Sequence, residues 1–171
     1  SFCSTAGAGH KPNPDRTGVE TCLAGTFSQG GADDCAACEQ AGEWSDDGAV
    51  ACSIAEPGYK PNADRTGQEP CPVGKYSVGG QDECSSCEEG TYTNQEAQNS
   101  CKTVETGKRV KLSTSLPALR IDQVDCEPGQ NSQGGTDVCS ACDGEGEYSS
   151  SSGSSFCSTA GAGHKPNPDR T

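Results

Sequence analysis

Residues 22–52 read CLAGTFSQGGADDCAACEQAGEWSDDGAVAC. Cys22, Cys35, Cys38 and Cys52 stand at C-x12-C-x2-C-x13-C. The loops between them hold glycines, small polar residues and one aromatic each, Phe27 and Trp44. No apolar periodicity marks a helix or a buried strand. The same spacing returns at Cys71, Cys84, Cys87 and Cys101. It returns again at Cys126, Cys139, Cys142 and Cys157, with the last gap one residue longer. The expected fold class is small and disulfide-rich. Short β-hairpins and loops form an elongated tandem array of four-Cys modules, with little or no helix.

Composition supports this reading. Leu, Ile, Val and Phe number 4, 2, 8 and 3 in 171 residues, about a tenth of the chain, and the formal charge is −13. So few core-forming residues at such charge leave a chain disordered unless something else holds it. Thirteen cysteines are that something. A large α/β enzyme and a helical bundle are excluded, and no apolar run reaches the ~20 residues of a spanning helix. The acidic balance disfavours nucleic acid, whose phosphates call for Lys and Arg, and disfavours anionic lipid. We therefore expect no nucleic-acid partner and no membrane in this segment. There is no Met, which is expected of a processed or excised piece.

The first 17 residues, SFCSTAGAGHKPNPDRT, are identical to residues 155–171. The chain therefore reads as one 154-residue period plus the start of the next, with both ends lying inside a tandem array. Cys3 occupies the position of Cys157 and is expected to bridge to the preceding repeat. Twelve cysteines per period can then all pair. The expected divisions are 1–21, the end of a preceding module and its connector; 22–70, module 1 with connector; 71–125, module 2 with a long connector; 126–157, module 3; and 158–171, the start of the next period.

Other residues keep this register. Paired glycines follow each first cysteine at Gly30-Gly31, Gly79-Gly80 and Gly134-Gly135, a hairpin signal. Phe27 and Tyr76 mark the first loop, where the third module has Asn131; Trp44, Tyr92 and Tyr148 mark the second. These aromatics are expected to pack on neighbouring disulfides. Connectors HKPNPDRTG from His10 and YKPNADRTG from Tyr59 read as hairpin loops. Asn62 and Asp64 could also serve calcium, although a turn explains the same residues.

The connector Lys102–Asp125 differs. It holds five of the twelve basic residues (Lys102, Lys108, Arg109, Lys111, Arg120) and seven of the fourteen Leu, Ile and Val residues. Val110 and Leu112 alternate, as do Leu119 and Ile121, which predicts two strands around STSLP. Two readings stand side by side: a local hairpin on its own module, or a docking strand for another chain. On the second, Val110, Leu112, Leu116, Leu119 and Ile121 are the candidate assembly contacts. The run SSSSGSS offers Ser149, Ser150, Ser151, Ser152, Ser154 and Ser155 for O-glycosylation, or is simply a flexible loop.

Each module carries one CxxC. Redox use requires an electropositive setting and a helix start, whereas these sites sit beside Asp33-Asp34 and Asp82-Glu83. Zinc sites usually show two close pairs, and here each module has one. Structural disulfides in a secreted chain fit best. Pairing inside the CxxC would close a very tight ring. Spacing leaves open first–third with second–fourth, or first–second with third–fourth.

The stretches CLAGTFSQGGADDCAAC and CPVGKYSVGGQDECSSCEEGTYT resemble the ephrin-receptor-like cysteine-rich repeat, related in style to TNF-receptor and EGF-like modules. The resemblance covers all three modules. It implies crossed bridges: Cys22–Cys38, Cys35–Cys52, Cys71–Cys87, Cys84–Cys101, Cys126–Cys142 and Cys139–Cys157. The chain departs from the family at Asn131 and in lacking a further cysteine close after each fourth one. The PNADRTG phrase is similar to cysteine-rich surface proteins of algae and other protists, some of which build extracellular filaments such as flagellar hairs.

The functional expectation is a structural repeat unit of an extracellular, glycosylated filament or surface fibre that self-assembles with identical repeats or chains. The alternative is a spacer or ligand-contact rod of a cell-surface receptor or adhesin. No enzyme is expected. His10 and His164 are one repeat position, and pairs such as Asp46-Asp47 read as solvated turns. No cofactor and no metal site is expected.

Overall fold

The computed structural model describes residues 4–115 and 117–171. The described residues contain no helix, and every sheet is a two-stranded antiparallel hairpin. The first connector pairs β1 (His10–Pro12) with β2 (Val19–Thr21). Module 1 pairs β3 (Thr26–Phe27) with β4 (Ala36–Ala37), and β5 (Glu43–Trp44) with β6 (Ser53–Ile54). The next connector pairs β7 (Tyr59–Pro61) with β8 (Gln68–Pro70). Module 2 pairs β9 (Lys75–Tyr76) with β10 (Ser85–Ser86), and β11 (Thr91–Tyr92) with β12 (Lys102–Thr103). The long connector is β13 (Lys108–Leu112) against β14 (Arg120–Asp125). Module 3 pairs β15 (Gln130–Asn131) with β16 (Ser140–Ala141), and β17 (Glu147–Tyr148) with β18 (Ser158–Thr159).

The connectors are therefore hairpins of the same kind as those inside the modules. One glycine opens each hairpin, at positions 9, 25, 42, 58, 74, 90, 107, 129 and 146, in steps of 16 or 17 residues except for the 22 from Gly107 to Gly129. The carbonyls of Gly9, Gly25, Gly42, Gly58, Gly74, Gly90 and Gly107 accept from the N–H of Cys22, Cys38, Ala55, Cys71, Cys87, Val104 and Cys126. Those seven residues, with Ala6 and Cys142, are buried to within 5% exposure. A cysteine fills the site in two hairpins of three, and Ala or Val in the third. The repeating structural unit is thus the single hairpin, three to a four-Cys module.

Stacking between hairpins uses the backbone. The N–H groups of Gly9, Gly25, Gly58, Gly74, Gly107 and Gly129 donate to the carbonyls of Ser28, Ser45, Ser77, Thr93, Ser132 and Ser149, at 2.7–3.1 Å. These six hydroxyl residues are all buried. Their side chains are also bonded. Ser28, Ser77 and Ser132 accept from Gly30, Gly79 and Gly134, Thr93 accepts from Gly74, Ser45 donates to the Thr26 carbonyl, and Ser149 donates to Ser154. A small, fully satisfied polar residue is what a close backbone approach tolerates. Among the described residues, buried apolar side chains gather in a cluster of Tyr92, Val104 and Val110.

The bridges are Cys22–Cys35, Cys38–Cys52, Cys71–Cys84, Cys87–Cys101, Cys126–Cys139 and Cys142–Cys157, with Cα atoms 5.7–5.8 Å apart. This overturns the crossed set Cys22–Cys38, Cys35–Cys52, Cys71–Cys87, Cys84–Cys101, Cys126–Cys142 and Cys139–Cys157. The reason lies in the hairpin. Cys22 precedes the turn into β3, and Cys35 directly precedes β4. Folding the hairpin brings them to bonding range. Cys38 has already begun the next hairpin. The two cysteines of each CxxC therefore belong to neighbouring hairpins. Stapled hairpins have ladders of only two residues per strand, marginal on their own, whereas the unstapled ones pair over three or more. Cys3 lies outside the described residues.

The glycine pairs do not form two-residue turns. Eight residues, 28–35, separate β3 from β4. Gly31, Gly80 and Gly135 instead donate to the carbonyls of Ala6, Ala55 and Val104 in a preceding hairpin.

Two compact units divide the chain. The first is Ser1–Cys71, Ser77–Cys84 and Ala97–Asn99; the second is Pro72–Tyr76, Ser85–Glu96 and Ser100–Thr171.

Candidate functional site

Among the described residues, each unit shows one charged clamp that fastens three hairpins. In the first unit, Gly42 breaks the stacking rule. Its N–H donates not to a carbonyl but to Asp82 Oδ1 at 2.9 Å. The Arg65 guanidinium donates to the same oxygen at 2.9 Å, and to the carbonyls of Gln40 and Glu43 at 2.7 and 3.0 Å. In the second unit Gly90 donates to Asp137 Oδ1 at 2.8 Å. Arg120 holds both Asp137 oxygens through Nε and Nη2, and donates to the Cys87 carbonyl. The backbone carbonyls of these arginines also take part, accepting from Ser45 and Thr93.

The carboxyl groups respond to these partners. Asp137 is held below the usual carboxylate range, chiefly by the Arg120 hydrogen bond, against its partial burial. Asp82 is held down chiefly by the Gly42 N–H, with Arg65 adding to it. Depressed carboxyls contribute stability above the unfolded value, about 3.9. That contribution is lost as pH falls through the folded values. Acid titration is therefore expected to leave stability flat near neutrality and to weaken it only below about pH 4. Asp137→Asn should cost about 1–3 kcal/mol, read from the denaturant midpoint, and should flatten that acid limb.

In the sequence, Asp82 stands out only as part of an acidic setting for the CxxC. The available signal was an Asp two residues before each second cysteine (Asp33, Asp82, Asp137) together with the Arg of each DRT phrase (Arg16, Arg65, Arg170). Arg120 stands in no such phrase, and only the fold equates it with Arg65.

The aliphatic, basic connector is a local hairpin, with a bulge between Lys111 and Leu112. Val110 is 1% exposed and packs with Tyr92 and Val104, so it is core and not an assembly contact. Leu119 is half-buried, set against Gly74, and Ile121 is half-buried. Leu112 is 49% exposed. Leu116 lies outside the described residues. Some of the basic residues are engaged locally, Lys108 with Glu105 at 2.7 Å and Arg120 in the clamp.

The serine run splits in the same way. Ser149 is 3% exposed and bonded to Ser154, so it is a stacking residue and not an acceptor for sugar. Ser154 also donates to the Ser151 carbonyl and, like Ser155, is half-buried. Ser150, Ser151 and Ser152 are exposed. In the third module Asn131 directs its amide to Cys157 Sγ at 2.9 Å, so the residue replacing an aromatic does lie on a disulfide. Tyr92 packs on valines instead. The Asn62 side chain is occupied by Thr66, through Oδ1 and Nδ2, and this forms the turn. A cluster of Cys38, Glu43 and Cys52 has the dimensions of a metal site. Its two sulfurs are joined in a disulfide, which removes the thiolates a metal needs. No helix of the described residues is long and apolar enough to cross a membrane.

A family model described as tyrosine-protein kinase ephrin type A/B receptor-like matches residues 74–103. The match runs from the glycine opening the β9/β10 hairpin to the last residue of β12. No curated protein matches the chain. The match and the bridges Cys71–Cys84 and Cys87–Cys101 define a cysteine-rich, ephrin-receptor-like module there. Such a module is of receptor type and not catalytic on its own. With six disulfides it points to a secreted or cell-surface protein.

Proposed function

We propose that this chain is a structural repeat unit of an extracellular filament or surface fibre. The observation that carries the reading is the identity of residues 1–17 and 155–171, set in a fold whose hairpins stack through one repeated set of backbone bonds. A unit of that kind presents the same groups at a fixed step in every period, as a fibre subunit must. The acidic surface keeps such a fibre hydrated, and Ser150, Ser151 and Ser152 are the residues available to carry glycans. Leu112, an exposed aliphatic on an open two-stranded hairpin, is the candidate lateral contact.

Electron microscopy of unreduced native material tests this. Uniform fibres with a regular axial repeat are the expected result. Leu112→Asp should leave the fold within about 0.5 kcal/mol of the parent, as exposed substitutions do, while reducing lateral association seen by light scattering. Association unchanged in that variant would move the contact elsewhere. The ephrin-receptor-like match favours a second reading, a spacer or ligand-contact rod of a receptor or adhesin. Isolated rods rooted in membrane would select it.

A further inference from the structure

Two complete clamps are present, and the parts of a third are divided between the repeated ends. Arg16 and Arg170 are the same residue of the duplicated 17-residue stretch, with φ of 56° and 61°. Arg170 donates to the carbonyls of Gly144 and Glu147, as Arg65 does to those of Gln40 and Glu43. No carboxylate of the described residues pairs with it. Arg16 shows the complementary half: it holds Asp33 at 3.1 Å but no carbonyl of the described residues. Both side chains of that pair are 69–73% exposed, against 21–27% in the Arg120–Asp137 pair.

The glycines tell the same story. Gly42, Gly90 and Gly146 share one conformation, with φ of 73–75°. A Cβ on Gly42 would overlap the backbone of Gly80, and one on Gly90 that of Gly135. On Gly146 it would meet only the Thr159 methyl, at 3.5 Å. Gly42 and Gly90 give their N–H to Asp82 and Asp137, whereas no acceptor among the described residues takes the Gly146 N–H. The residue matching Asp82 and Asp137 in the remaining module is Asp33, two before Cys35.

We propose that each period joins the next copy of itself through this third clamp. Asp33 of the following copy accepts from Gly146 N–H of the preceding one, and the arginine shared as Arg170 and Arg16 binds both sides. This rests on reading the chain as one period of a tandem array. It adds which residues form the joint, and it identifies the partner surface as the Gly31–Asp33 loop of a second copy. The charge-assisted bonds and the close glycine approach repeat those already present inside the period.

The test compares the 171-residue chain with a two-period chain in which a further copy of residues 18–171 follows Thr171. Amide hydrogen exchange at Gly146 is expected to slow by at least about tenfold in the two-period chain. Gly42 and Gly90 serve as internal standards, protected in both. Asp33→Ala in the second copy should restore fast exchange at Gly146 and leave Gly42 and Gly90 protected, which shows that the hairpins remain folded. Equal Gly146 exchange in the one- and two-period chains, or protection that survives Asp33→Ala, would overturn the joint. Microscopy of the same samples separates the two ideas. A protected Gly146 without fibres leaves the joint standing and removes the filament, whereas fibres with an unprotected Gly146 remove the joint.

Discussion

Reduction under native conditions is expected to abolish the fold. Each bridge closes a separation of 13–15 residues. In the chain-entropy model a loop of that size contributes about 3 kcal/mol. Six of them exceed the whole net stability of an ordinary domain, about 5–15 kcal/mol. Little else compensates, because the apolar cluster among the described residues contains three side chains. Amide resonances should collapse to the narrow range of an unfolded chain on adding a thiol reductant, and recover on reoxidation. Retained dispersion would mean that the inter-hairpin backbone bonds suffice alone. Partial reduction with alkylation, which distinguishes adjacent cysteines, should recover Cys22–Cys35 and Cys38–Cys52. A Cys22–Cys38 link would refute closure hairpin by hairpin.

The largest effect of a single substitution is expected at Gly90. Gly90→Ala places a methyl group into the backbone of Gly135, which has no flexible side chain to yield. The position also has φ of 73°, unfavourable for any residue with a Cβ. Relieving the overlap must open the hairpin contact and release the Gly90 N–H from Asp137. The expected cost exceeds about 4 kcal/mol, at the extreme of single substitutions. Gly146→Ala provides the control. Its φ is 75°, but a Cβ there meets only the Thr159 methyl at ordinary contact distance, so in the 171-residue chain it should cost only about 1–2 kcal/mol, the left-handed backbone term alone. Thermal or denaturant unfolding of the two variants measures the difference. Equal losses would show that conformation, and not close approach, requires glycine at this position.

Much of the fold was legible in residue types. The cysteine spacing and the scarcity of aliphatics required staples in place of a core. The HKPNPDRTG and YKPNADRTG phrases marked hairpins, and alternation at Val110 and Leu112 and at Leu119 and Ile121 marked the strands β13 and β14, with Leu119 one residue before β14. The 16- to 17-residue step was harder to see, because its buried position changes identity. Cys22 and Cys38 fill it in one place, Ala55 and Val104 in others. Cysteine drew attention to the bridge it makes, and not to the small buried site it shares with alanine.

What the sequence determined alone is the period, the module register and the chemistry available: repeated stretches specify repeated structure, and thirteen cysteines with so few aliphatics specify a stapled fold. Tertiary structure decided who meets whom. Spacing allowed two disulfide sets, and the choice fell to hairpin closure, which brings Cys35 and not Cys38 to Cys22. The burial of Val110 depended on Tyr92, eighteen residues earlier, and that of Ser149 on a turn that stacks against it. Arg120 found Asp137 because its backbone sits where that of Arg65 does in the other clamp. Side-chain chemistry is a local property that a sequence states outright. Proximity between hairpins depends on turns and backbone hydrogen bonds acting together, and no single residue encodes it.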